Sequence, residues 1–153
     1  MRPGVPIETL MGRLSVRIDG QPERGVSAGF ELTGNAEQGG LLLTGPLGTT
    51  AARASWWPGH AVLASAGTET DYLELDSLVT AALGEPIPMA ALFDWLRGRA
   101  WPGAAANPRP DGTAGFEQLG WRINLARWPE GAIEAYRAAP PAITVRARLE
   151  PPA

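Results

Sequence analysis

The sequence predicts a mainly β protein with short helices: an open, incomplete antiparallel β-barrel with a helical lid over a hydrophobic cavity. Three observations lead there. Apolar and polar residues alternate with a period of two through most of the chain, which gives each strand one buried and one wet face. Only one block, about residues 74–98, changes to helical spacing. The length of 153 residues suits a single domain, 1–153, able to hide roughly 70% of its unfolded surface. A lone sheet with one wet face must curl round its own core or be covered, and a curved sheet with helices in its mouth does both.

Leu14, Val16 and Ile18 alternate with Arg13, Ser15, Arg17 and Asp19, the pattern of a half-buried strand. Asp19-Gly20-Gln21-Pro22 supplies turn residues before Val26, Ala28, Phe30 and Leu32 repeat the pattern, so the two runs form a hairpin. Gly39-Gly40 opens a third run, Leu41-Leu42-Leu43-Thr44, and Gly45-Pro46-Leu47-Gly48 separates it from a fourth over residues 49–57. Pro58-Gly59 turns the chain into a fifth strand, His60–Ser65, and a sixth is expected near residues 70–73.

Leu75, Leu78, Val79, Ala82 and Leu83 then fall on one helical stripe, with Gly84 where a C-terminal cap belongs. Pro88 starts a second helix in which Met89, Leu92, Phe93 and Leu96 share a face up to Gly98, about ten residues or roughly 15 Å. Residues 101–113 read as a surface loop. Strand character resumes at Phe116 and Leu119, continues through Trp121, Ile123 and Leu125, and ends with Ile143, Val145, Ala147 and Leu149. Between them, residues 129–141 are ambiguous: residues 132–139 have helical propensity, but Pro140-Pro141 cuts it short.

Composition removes several function classes. All 13 cationic residues are arginine, set among 16 acidic ones for a net charge of −3, which does not make the basic face that nucleic acid requires. The chain has no Cys, excluding disulfides, thiolate metal sites and a Cys nucleophile. No apolar run approaches the roughly 20 residues of a membrane-spanning helix, and the Met1-Arg2-Pro3-Gly4 start lacks the apolar stretch of a signal peptide.

Catalytic groupings are scarce. His60 is the single histidine, no G-x-S-x-G elbow accompanies it, and beside Pro58-Gly59 it reads as a surface residue. The Gly39-Gly40 and Gly45-to-Gly48 segments lack the spacing and lysine of a phosphate loop. Glu69, Asp71, Glu74 and Asp76 gather before the first helix without calcium-loop spacing, and read as charge favourable to a helix N-terminus. No catalytic residue, metal or cofactor is expected.

The apolar inventory says more. Six tryptophans include Trp56-Trp57, adjacent in a strand, so at least one of the two faces outward or covers a mouth. Trp95 makes the second helix apolar round more than one face, as a packed core helix or a lid over a hydrophobic ligand would be. Leu47, between Pro46 and Gly48 at a strand connection, is poorly placed to reach the core.

The string from Leu41 to Thr50 is followed by Asp71-Tyr72, the first helix, Gly84-Glu85-Pro86-Ile87-Pro88 and Leu92-Phe93-Asp94-Trp95-Leu96-Arg97-Gly98. In that order and spacing, with Gly12-Arg13-Leu14-Ser15-Val16 before and Gly120-Trp121 after, it resembles the LolB family over most of the chain. The resemblance implies an apolar cavity for acyl chains. Leu14, Val16, Ile18, Val26, Phe30, Leu32, Leu41 and Leu43 would line it from the strands, Met89, Leu92, Phe93, Trp95 and Leu96 from the second helix, and Trp121 and Ile123 from the later sheet.

It further implies a monomer that takes acylated lipoproteins from the periplasmic carrier LolA and inserts them into outer-membrane phospholipid without ATP. The membrane-insertion loop would be Pro46, Leu47 and Gly48, with Leu47 as its apolar tip. Such proteins sit on the periplasmic face of the Gram-negative outer membrane through an acylated Cys after a signal peptide; this chain carries neither, so a trimmed or unusual soluble member is expected. At ~1.5–3 kcal/mol Leu47 could guide delivery but not anchor the protein. The alternative is a lipocalin-like carrier of a small hydrophobic ligand, which needs no protein partner. A LolA-type carrier has the same architecture, but the 46–48 turn favours the receptor side; an enzyme reading rests only on His60 and the carboxylates.

Overall fold

A computed structural model describes residues 9–45 and 49–150. In chain order these form β1 (Thr9–Ile18), β2 (Val26–Gly34), β3 (Gly39–Thr44), β4 (Thr50–Trp57), β5 (His60–Ser65) and β6 (Thr68–Tyr72), then α1 (Leu75–Leu83) and α2 (Met89–Trp95). The chain returns to strand at β7 (Ala106–Pro108), β8 (Gly115–Gln118), β9 (Trp121–Asn124), β10 (Ala132–Arg137) and β11 (Ile143–Leu149).

All eleven strands join one antiparallel sheet in the order β6-β5-β4-β3-β2-β1-β11-β10-β9-β8-β7. The first and last strands meet at its centre, where Ile18 lies opposite Ile143 and Val16 opposite Val145, all four buried. From that seam the sheet extends both ways by successive antiparallel neighbours. Its two free edges, β6 and β7, are joined through α1 and α2 instead of by hydrogen bonds to each other, so the expected open, lidded barrel is the observed architecture. Both edges are protected against pairing with another chain: β6 carries exposed Glu69 and Asp71, and β7 is three residues long and ends in Pro108.

α1 starts and stops as its sequence predicts, with Gly84 in the left-handed region at φ 78° and its N–H bonded to the Thr80 carbonyl at 2.8 Å. α2 is shorter than the expected ten residues; turns carry the chain to Gly98, where the Trp128 indole lies against the Cα and leaves no room for a side chain.

Two segments go beyond the sequence pattern. Residues 132–137, ambiguous in sequence, form a strand and not a helix: β10 is hydrogen-bonded between β9 and β11, and Ile133 and Ala135 point into the core. Sheet pairing on both sides outweighs the weak helical preference of Ala132 to Ala138. The loop over residues 101–113 contains the edge strand β7, paired with β8. The Pro46-Leu47-Gly48 reading lies outside the described residues.

Candidate apolar cavity under the helical lid

Two kinds of interior lie between the sheet and its helices. Around α2 the space is filled. Trp56 is 2% exposed and stacks on Phe93 at 5.7 Å between ring centroids, while Trp95 packs on Trp121 at 5.9 Å. Its neighbour Trp57 is 45% exposed and stacks on His60 at 4.9 Å, so the adjacent pair divides between the two faces of β4 as expected. His60 lies on the outer face, 3.3 Å from Asp71.

Under α1 the space is open. A cavity of about 490 Å³ is floored by Leu14 and Val16 of β1, Val26 of β2, Leu41 and Leu43 of β3, Ala52 and Ala54 of β4 and Leu63 of β5. Leu78, Val79, Ala82 and Leu83 of α1 roof it, with Ile87, Met89 and Leu92 from the following segment. The opening has a sequence-level cause: Ala52 and Ala54 put methyl groups where facing strands carry leucines, and α1 has no aromatic residue on its inner stripe. By size and lining it is a site for an apolar ligand.

The lid thins along its length. Leu75 and Leu78 are buried, whereas Ala82 and Gly84 are exposed, so α1 seals the cavity at its start and uncovers it towards Gly84. Arg24 borders that end, its guanidinium lying against Gly84 where the helix C-terminus favours a cation. β3 ends and β4 begins at the same end of the sheet: Leu43 and Ala52, a cross-strand pair, both line the cavity, and Gly45 donates its N–H to the Thr49 carbonyl at 2.9 Å just beyond them. A register shift between Leu43 and Thr44 bends the strand there.

At its start, α1 is joined to α2 through Asp76, which accepts a hydrogen bond from the Met89 N–H. Partial burial raises the Asp76 carboxyl above its ordinary range, the Met89 bond opposes this, and nearby Glu74 adds to the rise. Arg137 of β10 reaches Glu85 at 3.0 Å and the Pro141 carbonyl at 2.9 Å, fastening the α1–α2 connection to the sheet.

Of the residues expected around an acyl-chain cavity, Leu14, Val16, Val26, Leu41, Leu43, Met89 and Leu92 are brought together there. Ile18, Phe30, Leu32, Phe93, Trp95, Leu96, Trp121 and Ile123 are instead buried in the packed core outside its lining. An inward-facing position and a cavity wall are different things, because bulky neighbours fill the first. Leu78, Val79, Ala82 and Leu83 join them in the lining, and the apolar stripe of α1 is the sequence signal that points to these four.

A model of the LolB family, described as outer membrane lipoprotein LolB, matches residues 9–150. The outer-membrane lipoprotein LolB of Bordetella petrii is 37% identical over 134 residues, covering 84% of this chain and 63% of that protein. The one from Bordetella pertussis is 37% identical over 156 residues, covering 97% and 74%. That of Chromobacterium violaceum is 31% identical over 119 residues, covering 78% and 63%. The chain thus spans 63–74% of the length of these relatives.

Proposed function

The chain belongs to the LolB family, and from that premise we propose that it receives acylated lipoproteins from the carrier LolA and passes them to outer-membrane phospholipid. The observation that carries this reading is the apolar cavity of about 490 Å³ beneath α1, uncovered at the end where β3 finishes and β4 starts. An acyl chain gains about 0.8 kcal/mol per buried CH₂, so several long chains favour a bilayer by tens of kcal/mol. A small, partly open cavity holds less of that chain than a bilayer does. Transfer from protein to membrane then runs downhill without ATP.

Leu47, in the residues between Gly45 and Thr49, is the delivery tip in this reading. It meets the bilayer or the cargo while chains leave past Arg24 and Leu83. The protein works as a monomer at the periplasmic face of the membrane, and needs no catalytic group.

The test is transfer of a triacylated lipoprotein, preloaded on LolA, to this protein and then to liposomes, comparing wild type with Leu47→Glu. Acceptance by both proteins with delivery by wild type alone is the expected result. Equal delivery removes the role of Leu47. Acceptance by neither, from folded protein that still binds free fatty acid, replaces the proposal with a lipocalin-like carrier.

A further inference from the structure

The outer face of the sheet, turned away from the helices, carries a groove of about 410 Å³ across the central seam. Its composition is opposite to that of the cavity. Arg13, Arg127, Arg146 and Arg148 line it, with Glu134 as its only carboxylate, on a chain whose net charge is −3.

Strand register explains how it forms. One cross-strand row runs Ser27, Ser15, Arg146, Glu134, Asn124 over β2, β1, β11, β10 and β9. The next row runs Gly29, Arg13, Arg148, Ala132. Gly29 and Ala132 project little or nothing, so the Arg13–Arg148 pair stands between two low positions with the two serine hydroxyls alongside.

The cations in this groove are not equivalent. Glu134 is held by Arg146 at 2.7 Å, and Arg127 by Glu130 at 3.0 Å. Among the described residues, no carboxylate forms a salt bridge with Arg13 or Arg148; Glu130, held low chiefly by its hydrogen bond from Arg127, feels Arg148 only as a weaker, longer-range charge. These two exposed arginines lie directly opposite one another, an arrangement that opposes sheet formation by like-charge repulsion. The Asn124 side-chain Oδ1 accepts the Ala126 N–H at 2.9 Å, leaving the side-chain NH₂ available to donate. The groove therefore offers two guanidinium groups, two hydroxyls and an amide NH₂, while its one acidic group is already paired. Such a donor set recognises a phosphate-type anion.

We propose that this outer groove binds the phosphate of an anionic phospholipid headgroup, with Arg13 and Arg148 as its cations and Ser15 and Ser27 as hydroxyl donors. A bilayer surface, as opposed to an acidic peptide, is favoured by Met11, which is 45% exposed on the outward row of β1 immediately before Arg13. An apolar side chain beside a cation pair fits the boundary between headgroups and acyl chains. Arg17 extends the same row beyond Ser15 and adds to the basic field. This site is separate from the cavity and does not depend on what the cavity holds.

The test is sedimentation with phosphatidylcholine vesicles, with and without phosphatidylglycerol, comparing wild type, Arg13→Gln/Arg148→Gln and the control Arg53→Gln/Arg99→Gln, which removes two exposed arginines outside the groove. Wild type and control are expected to bind the anionic vesicles more tightly than phosphatidylcholine alone. The groove variant loses roughly 30-fold, the factor for two surface arginines at ~1 kcal/mol each. Inorganic phosphate should shift the amide resonances of Ser15 and Ser27 in wild type and the control but not in the groove variant, and fluorescent fatty-acid binding should be the same in all three. Equal vesicle binding by both variants overturns the proposal. So does a phosphate response without vesicle binding, which assigns the groove to the free ion, or a response to poly-glutamate alone, which assigns it to an acidic protein. Arg148→Gln alone repeats the test if the double variant does not fold.

Discussion

The indole Nε1 of Trp95 donates a 2.8 Å hydrogen bond to Oε1 of Gln118, joining the end of α2 to the short outer strands of the sheet. The same oxygen accepts the Trp101 N–H at 2.9 Å, and the Gln118 Nε2 donates to the carbonyls of Trp101 at 2.6 Å and Ala104 at 2.9 Å. Every donor and acceptor site of this side chain is used, which is how a glutamine only 2% exposed is accommodated. One residue of β8 thus fixes both the helix and the chain that leads from it to β7.

Gln118→Leu should therefore cost more than its change in size implies. It strands two buried N–H groups at about 1–3 kcal/mol each, so a loss of about 3 kcal/mol is expected by urea denaturation. In a domain of this size that is a fall of roughly 6–12 °C in Tm. A loss below about 1 kcal/mol would mean that water replaces the lost bonds and the glutamine is no clasp.

Leu119, the next residue, tests backbone strain. It occupies the β8–β9 turn at φ 55° with Gly120 at φ 82°, and is 47% exposed. A branched-chain residue in that region costs about 1 kcal/mol, and its exposed side chain recovers little of this by burial. Leu119→Asn should raise stability by about 0.5–1 kcal/mol, seen as a higher urea midpoint at unchanged m-value. An unchanged or lower midpoint would show that Leu119 makes contacts that offset the strain.

Most of the architecture was legible in the sequence because it is carried by local periodicity. Leu14, Val16 and Ile18, or Leu75, Leu78 and Val79, announce strand and helix without reference to the rest of the chain. What escaped depends on distant partners. β10 is a strand because β9 and β11 flank it, and Ala106–Pro108 pairs only because Phe116 to Gln118 lies beside it. The site was half legible for the same reason: an inward-facing residue can be read from alternation, but whether it walls a void depends on what faces it. Phe93 meets Trp56, whereas Leu43 meets open space under α1.

The start of the lid should respond to pH. The Asp76 carboxyl is raised in the folded state, so its charged form is held less favourably there than in the unfolded chain. That penalty is present at neutral pH and disappears as pH falls through the folded-state pKa, vanishing below the ordinary value of 3.8. Asp76→Asn keeps an acceptor for the Met89 N–H and removes the titration. The variant should be more stable than wild type at pH 7, with the difference closing as pH approaches 3.8. A constant difference across that range would assign the effect to packing.

Ala52→Phe offers the most direct test that the space under α1 is where chains bind. Ala52 lies opposite Leu43 on the cavity floor, so a phenyl ring there enters open volume and displaces no packed side chain. Folding stability should change little, in contrast to the 1–3 kcal/mol usual for overpacking a filled core. Excluding even two CH₂ groups of a fatty acid costs about 1.6 kcal/mol, so its affinity should fall at least roughly 15-fold in a fluorescence titration. Leu42→Phe, whose backbone neighbour Arg53 marks the opposite face of the sheet, is the matched control and should bind as wild type does. If both variants bind equally well, acyl chains occupy some other surface; if Ala52→Phe unfolds, the space is already filled in solution. Only loss of binding by a folded Ala52→Phe, with the control unaffected, places the chains beneath the lid.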